Sequence, residues 1–365
     1  MGPLAGVRVV EFGGIGPGPM AAMLLADLGA SVIRVDRPEA AEAARHGQGP
    51  HMSAGRPIMG LDLKSEEDLA TARRVVAAAD VLLEGFRPGV MERRGLGPEV
   101  CHADNPGLVY ARMTGWGQDG PLAHTAGHDM NYIALNGVLH TIGRQGEAPV
   151  PPVNLLGDFG GGSMFAVTGI LSALVERATS GRGQVVDAAM VDGSALLTAM
   201  IHEDRRRGAW SDERGTNYLD TGAPWYDVYE CADGRHVAVG CIEPQFYAAF
   251  LEGIGLDQAD LPDQWDRERW PELRERFAAV LRTRTRDEWA ELLGGTEACV
   301  QPVLSAPEAA RHPHVAARGS LAGDGDGLYP GPAPRFDRTP GAATRDPEFP
   351  TPTLEDTLAQ WGVDT

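Results

Sequence analysis

Residues Val7-Arg8-Val9-Val10-Glu11-Phe12 are mostly apolar and rich in valine, a pattern that predicts a strand. Glycines and prolines follow, and Met20 to Leu28 then runs apolar at helical length. Pro19 suits the first turn of that helix, and Gly29 suits the left-handed position after its last. Ser31-Val32-Ile33-Arg34-Val35-Asp36 predicts a second strand. The unit recurs: a helix over residues 66–79 leads into Val81-Leu82-Leu83-Glu84, and Leu108-Val109-Tyr110-Ala111-Arg112 predicts a further strand. Strands alternating with helices in this way predict a parallel sheet wrapped by helices.

A long apolar helix is predicted over residues 160–178, then a strand over 184–188 and a helix over 191–200. From about residue 201 to 222 the chain turns polar, through Glu203-Asp204-Arg205-Arg206-Arg207 and Ser211-Asp212-Glu213-Arg214, as a linker would. Beyond it, residues 228–231 and 236–239 flank Asp233-Gly234, a hairpin signal, and helices are predicted over 270–280 and 285–293. The expected architecture is α/β: a large domain with a Rossmann-like parallel sheet (1–188), a linker (189–223) and a smaller α+β domain (224–315). Residues 316–365, rich in Gly and Pro, are expected to return to the large domain.

At 365 residues the chain fits two domains better than three. A hydrophobic content of 43% and a charged content of 23% describe an ordinary globular protein. No run of eighteen apolar residues occurs, and the first residues lack the basic-then-apolar form of a signal peptide. A cytoplasmic protein with no membrane segment is therefore expected. The net charge of −19 argues against nucleic acid as a partner, since its backbone demands a basic face. That charge is uneven: the first 119 residues hold 12 basic and 15 acidic groups, a balance of −3, leaving −16 for the rest. An anionic ligand meets least repulsion in the first third. Cys101, Cys231, Cys241 and Cys299 form no C-x-x-C pair and have no His cluster beside them. They are read as thiols filling the core, with no metal site expected.

A strand, a glycine loop, a helix and a second strand ending in an acid outline a dinucleotide site. Gly14-Ile15-Gly16-Pro17-Gly18-Pro19 begins the fingerprint but has Pro19 where the third glycine belongs. Pro17 also removes an amide that would cradle pyrophosphate, and Arg37 directly follows Asp36. A nicotinamide-dependent oxidoreductase is not supported.

Unusual polar residues gather in three stretches, each at the predicted start of a helix. They are Ala126-Gly127-His128-Asp129-Met130-Asn131-Tyr132, Asn154-Leu155-Leu156-Gly157-Asp158-Phe159-Gly160-Gly161-Gly162, and Cys241-Ile242-Glu243-Pro244-Gln245-Phe246-Tyr247. Asp158 and Asp129 both have a plain reading as helix N-caps, with His128 then a structural histidine. Three glycines in one first turn weaken a helix and call for a reason, such as close approach of a ligand to bare amides. Glutamate is a poor N-cap, which leaves Glu243 less well explained as a helix start.

Further marks run through the chain in order: Val9-Val10-Glu11 with Gly16-Pro17-Gly18-Pro19, Val35-Asp36-Arg37-Pro38, Leu61-Asp62-Leu63-Lys64, Glu84-Gly85-Phe86-Arg87-Pro88-Gly89 and Thr114-Gly115-Trp116-Gly117-Gln118. Gly127-His128-Asp129, Gly157-Asp158-Phe159-Gly160-Gly161-Gly162, Asp187-Ala188-Ala189-Met190-Val191-Asp192-Gly193 and Glu243-Pro244-Gln245-Phe246 complete the series. With these the chain resembles, over essentially its whole length, the α-methylacyl-CoA racemases of the class III CoA-transferase family. The resemblance implies that His128, Asp158 and Glu243 are the acid/base set. It implies that Arg37, Arg87 and Arg94 meet the coenzyme's phosphates or adenosine. Further contacts to the acyl-CoA substrate are implied for Ile15, Lys64, Met113, Asp129, Tyr132, Gly160 and Gly161. It also implies an interlocked homodimer, each chain threaded through a ring in the other, with the site between one large domain and the partner's small domain. One departure is Ser53-Ala54-Gly55-Arg56-Pro57, which leaves Arg56 without an implied phosphate contact.

Inverting a 2-methylacyl thioester requires a proton to leave one face of Cα and another to arrive at the opposite face. Two groups in opposite protonation states are needed, and a histidine and a carboxylate suit this near neutrality. His128 would serve one face and Asp158 the other, with Glu243 fixing the imidazole. The enolate oxygen needs preorganised donors, for which the amides at Gly160–Gly162 are the candidates. No metal and no organic cofactor are required, the coenzyme being part of the substrate. The alternative is CoA transfer with Asp158 as nucleophile, and the pairing of His128 with Glu243 favours the racemase. Met190 and Met200 are candidates for a loose acyl-binding surface or for core. The acyl chain itself stays open.

Overall fold

The computed structural model describes residues 2–46 and 51–364, which form two compact units. The first takes the described residues up to Asn136, Val153–Thr198 and those from Ala310 onward; the second takes Gly137–Pro152 and Ala199–Ala309. The large unit thus extends past the expected boundary at 188 to Thr198, and it gives up residues 137–152.

The first unit is built on six parallel strands: β1 (Arg8–Phe12), β2 (Ser31–Asp36), β3 (Ile58–Gly60), β4 (Val81–Glu84), β5 (Val109–Thr114) and β6 (Val185–Ala189). Their order is β3-β2-β1-β4-β5-β6, the doubly wound arrangement expected from the alternation. Val10 of β1 pairs with Ile33 on one side and Leu82 on the other. Successive residues face opposite layers. Val10, Ile33 and Leu82 pack with Val75 and Val76 of helix α3 (Glu66–Ala77). Val9, Val32 and Leu83 pack with Ala21, Ala22 and Leu25 of α1 (Pro17–Asp27). Burying a side chain of this size contributes about 1.5–3 kcal/mol. Because both faces are covered, the strands read as near-continuous apolar runs. Two short helices that the sequence pattern does not predict also occur, α2 (Pro38–Arg45) before β3 and α4 (Val90–Arg93) after β4.

Pro17 stands in the first turn of α1, and Gly29 follows the helix with φ of 98°, as expected of a left-handed C-terminal glycine. Helix α5 (Pro98–Asp104) precedes β5, and α6 (Asp129–Leu135) follows it. The long apolar helix begins earlier than its composition suggests. Leu155–Ser163 is a π-helical stretch that runs into α7 (Met164–Ser180). Together they span 26 residues and contain an 18-residue window of mean hydropathy 1.3, enough by length and composition to cross a membrane. Here α7 packs its Ala166, Val167, Ile170 and Ala173 face against β5 and β6. Helix α8 (Met190–Leu196) then closes over the π-helical stretch.

The return segment is ordered by specific bonds. Thr344 N–H donates to Asp27 Oδ1 at 2.9 Å and Arg345 pairs with Asp27 Oδ2 at 2.6 Å. A C-terminal helix, Leu354–Trp361, adds Leu358 and Trp361 to the core on the α3 side, and Trp361 Nε1 donates to Ser31 Oγ at 2.9 Å.

In the second unit the expected polar linker contains a helix, α9 (Ala199–Arg206). Its charged run is the solvent face, while Asp204 turns inward to accept from Tyr218 OH at 2.8 Å. The predicted hairpin is present: β7 (Tyr226–Glu230) pairs antiparallel with β8 (His236–Gly240), and β9 (Val300–Pro302) adds a third strand. Trp225, Tyr247, Phe250, Phe277 and Trp289 form its core beneath helices α10 (Pro244–Ile254), α11 (Trp270–Leu281) and α12 (Arg286–Leu293). Helix α12 opens with a capping box, Thr285 N–H donating to Glu288 Oε2 at 2.8 Å and Glu288 N–H to Thr285 Oγ1 at 3.3 Å.

Candidate active site

In an open α/β sheet, ligands bind at the carboxyl ends of the strands where the order reverses. Here that point lies between β1 and β4. The loops leaving them, Gly13–Gly16 and Gly85–Pro88, line two cavities of about 570 and 450 Å³ that share Ile15 and Phe86.

The larger cavity carries Arg37, Lys64 and Arg94, all within the region where the sequence places least negative charge. Arg87 lines the smaller one. None of these four is ion-paired with a carboxylate among the described residues, so all are available to phosphate oxygens. Arg34 and Arg56 differ. Arg34 bonds Glu11, Asp36 Oδ2 (2.8 Å) and Gly14 O (3.2 Å), and so anchors the loop after β1. Arg56 is 3% exposed and lies 3.3 Å from Glu11 Oε2. Burial pulls its guanidinium below the usual range while Glu11 opposes this, so Arg56 is a core ion rather than a ligand contact.

The smaller cavity brings together two of the three expected acid/base residues. Its wall includes His128 and Asp158 with Tyr132, Trp116, Met113 and Met190. His128 is the exposed N-cap of α6, and its N–H donates to Asn131 Oδ1 at 3.0 Å. Asp158 is half-buried on the π-helical stretch, where Asn154 Nδ2 donates to its Oδ2 at 3.5 Å. A Cβ on Gly16 would lie 3.1 Å from that same oxygen, so the loop after β1 approaches the carboxylate closely. Burial raises the Asp158 carboxyl above the usual range and Asp129 adds to the rise, while the Asn154 bond and His128 oppose it. Tyr132 donates its OH to Gly127 O and stands edge-on to Trp116 at 4.8 Å. Burial, Asp158 and Asp129 push its phenol up to about 12, so it stays neutral.

Three expected contacts fall elsewhere. Asp129 is 5% exposed and lines neither cavity; its Oδ2 accepts the Asp158 N–H at 2.7 Å. Gly160 and Gly161 do not line the cavities either. A Cβ on Gly161 would lie 2.4 Å from Ser194 N, and one on Gly193 would lie 1.9 Å from Gly161 O. Close packing against α8 accounts for Gly161 and Gly162, the latter through Met190. The helix start that opens on the cavity is that of α6, where Gly127 and His128 are lining residues.

Glu243 belongs to the second unit, exposed at the N-cap of α10 with no side-chain cap bond. Cys299, expected in the core, is exposed, with φ of 51°; burial and then Glu243 raise its thiol. Met200 also lies in the second unit, half exposed. Reasoning from sequence did not single out Trp116 or Gly16 as site residues, although both stand in stretches that carry the resemblance.

Known proteins resemble this chain over nearly its whole length. Alpha-methylacyl-CoA racemase of Mus musculus is 48% identical over 362 residues, covering 98% of this chain and 93% of that protein. Alpha-methylacyl-CoA racemase of Homo sapiens is 45% identical over 363 residues, with the same shares covered. Among solved structures, a CAIB/BAIF family protein from Brucella suis superimposes with a TM-score of 0.79 at 26% identity, covering 98% of both chains. The family model described as CoA-transferase family III matches residues 4–354, and the chain belongs to that family.

Proposed function

We propose that this protein is a 2-methylacyl-CoA racemase, inverting the 2-methyl centre of acyl-CoA thioesters by proton transfer through an enolate. One observation carries the reading. A histidine and a carboxylate line a cavity that adjoins another lined by cations without carboxylate partners. The coenzyme's phosphates go to Arg37, Lys64 and Arg94, its pantetheine arm passes Ile15 and Phe86, and the thioester reaches the smaller cavity.

There one of His128 and Asp158 removes the α-proton and the other returns a proton to the opposite face. The raised Asp158 carboxyl is closer to neutrality than a free aspartate and better able to hold a proton between half-reactions. The enolate oxygen is met by the first-turn amides of α6 rather than those of Gly160–Gly162. Of these N–H groups, that of Asn131 already donates to His128 O at 2.7 Å, and those of Asp129 and Met130 carry the positive end of the helix dipole. The reading needs no metal and no organic cofactor, and it keeps the cytoplasm as the compartment.

Glu243 is assigned to orient His128 across an interlocked homodimer. Support comes from the first unit, where Leu135 of α6, Leu155 of the π-helical stretch, Met164 of α7 and Leu196 of α8 are all exposed on mutually packed elements. An apolar surface of this kind needs cover.

Incubation of either enantiomer of a 2-methylacyl-CoA in deuterated water tests the function. Loss of optical purity with deuterium at Cα, without any acceptor acid, is expected. Transfer of CoA to an added acid with no α-exchange would overturn the reading in favour of a transferase using Asp158 as nucleophile.

A further inference from the structure

Asp129 stands between the two groups that the proposed racemization needs. Along the chain it follows His128, and it opens α6. Through space its Oδ2 accepts the backbone N–H of Asp158 at 2.7 Å. Its other oxygen, Oδ1, is buried with no partner among the described residues. The side chain is 5% exposed and lines neither cavity, so substrate contact is not its role. The fit around it is tight. A Cβ on Gly157 would lie 2.6 Å from Asp129 Oδ2 and 3.0 Å from Asp129 Cα. Residue 157 must be glycine for the π-helical stretch to come close enough for the bond to form.

We propose that Asp129 is a positioning residue that ties the peptide of Asp158 to the start of the helix carrying His128, and so fixes the separation of the two proton-exchanging groups. The proposal rests on the racemase reading and extends it. A 1,1-proton transfer is sensitive to that separation in a way that binding of the coenzyme is not, because both groups must reach one carbon from opposite sides. A charge effect follows from the same geometry. Among the described residues, the titratable groups acting on Asp158 all come from α6: Asp129, His128 and the Tyr132 phenol. Its own stretch adds the amide of Asn154, and the loop before α1 brings only Gly16. Asp129 therefore both places Asp158 and helps to keep its carboxyl high.

The two effects separate in three variants of the full-length protein. Asp129→Ala removes the acceptor and the charge. Asp129→Asn keeps an acceptor oxygen for the Asp158 N–H and removes the charge. Gly157→Ala keeps the charge and forces the clamp apart. Racemization and α-deuterium exchange of both enantiomers are measured against pH, with thermal melts to show that each variant is folded. Asp129→Ala and Gly157→Ala are expected to lose kcat by about a hundredfold with KM changed less than about threefold, the loss typical of a reacting group misplaced by about an ångström. Asp129→Asn is expected to recover most of that loss. Its acid limb of kcat/KM should move to lower pH, because a carboxylate with one fewer negative neighbour ionises more readily. Gly157→Ala should leave that limb in place. A rise in KM with kcat preserved in Asp129→Ala would make Asp129 a substrate contact and overturn the proposal. So would equal activity of the Ala and Asn variants with no movement of the limb. An unaltered protein that exchanges no α-hydrogen overturns the racemase reading itself, and this proposal with it, before any variant is compared.

Discussion

The backbone N–H of Phe86 donates to Glu84 Oε2 at 2.7 Å, so a carboxylate buried at the end of β4 holds the loop that lines both cavities. Arg112 on β5 donates to the other oxygen of Glu84 at 3.1 Å and to Glu92 on α4 at 2.8 Å. The strut runs from the middle of the sheet to the helix that precedes Arg94. Burial raises Glu84 from 4.5 to about 7, with the Phe86 and Arg112 bonds opposing. A group that binds its proton more tightly folded than unfolded stabilises the fold at low pH and loses that contribution as pH rises. The melting temperature should therefore fall between roughly pH 4.5 and pH 7 through this group, and the fall should be shallower in Glu84→Gln. Thermal denaturation across that range checks it; identical slopes for the two proteins would remove Glu84 as the cause.

Arg37 and Arg94 make contacts expected to be equal in the ground and transition states. Replacing either with Ala should raise KM about tenfold, worth about 1.4 kcal/mol, with kcat changed much less. A pantetheine thioester without the nucleotide should be turned over equally by the parent and both variants. Discrimination against the variants with that truncated substrate would make the two arginines structural.

The two faces of the reaction should separate. His128→Ala and Asp158→Ala should each lower racemization by about 10²–10⁴-fold, since every turnover uses both groups. Each variant should keep slow α-exchange of one enantiomer only, and the two should keep opposite ones. Glu243→Gln should weaken the His128 side more than the Asp158 side. Racemization by His128→Ala at the parental rate would take the histidine out of the mechanism.

Gly161→Ala puts a methyl 2.4 Å from Ser194 N, where backbone rather than a pliable side chain must give way. Overpacking of this kind costs about 1–3 kcal/mol, to be read as a lowered denaturation midpoint. Were the glycine there for a ligand, the loss would appear in KM and not in stability.

Association should depend on the exposed leucines of α6 and α8. Light scattering of the parent should give twice the mass of one chain. Leu135→Asp and Leu196→Asp, both at positions already open to solvent, should shift it towards a monomer with little activity. An active monomer at working concentration would end the dimer proposal.

The parallel sheet was legible because strands such as Val81–Glu84, buried along their whole length, leave apolar runs that little else produces. His128 and Asp158 have a plain reading as caps or structural groups, and only the resemblance marked them as an acid/base pair; the fold brings both to the wall of one cavity. What the Gly160–Gly162 run was for was not legible. Glycine signals that something comes close, and only the fold identifies α8 as the neighbour. The π-helical start at Leu155 was also hidden, since apolar spacing does not distinguish it from an α-helix over two turns. Leu354–Trp361 was missed because eight residues beside a Pro-rich stretch give too little periodicity, and its stability comes from Leu358 and Trp361 finding a distant core. Asp129 looked like a cap or a ligand contact; its burial beside Asp158 depends on a contact between residues 29 apart.

The bonds between Asp27 and Thr344 join residues 317 apart, with the whole second unit encoded between them. On a ribosome the sheet is synthesised early but waits for its last buttress. Closing such a loop late is entropically slow and leaves apolar surface open in the interval. The second unit, whose core comes from one stretch of chain, has no such delay. Synthesis in the cell is therefore more exposed to aggregation through the first unit, and chaperone demand should concentrate there.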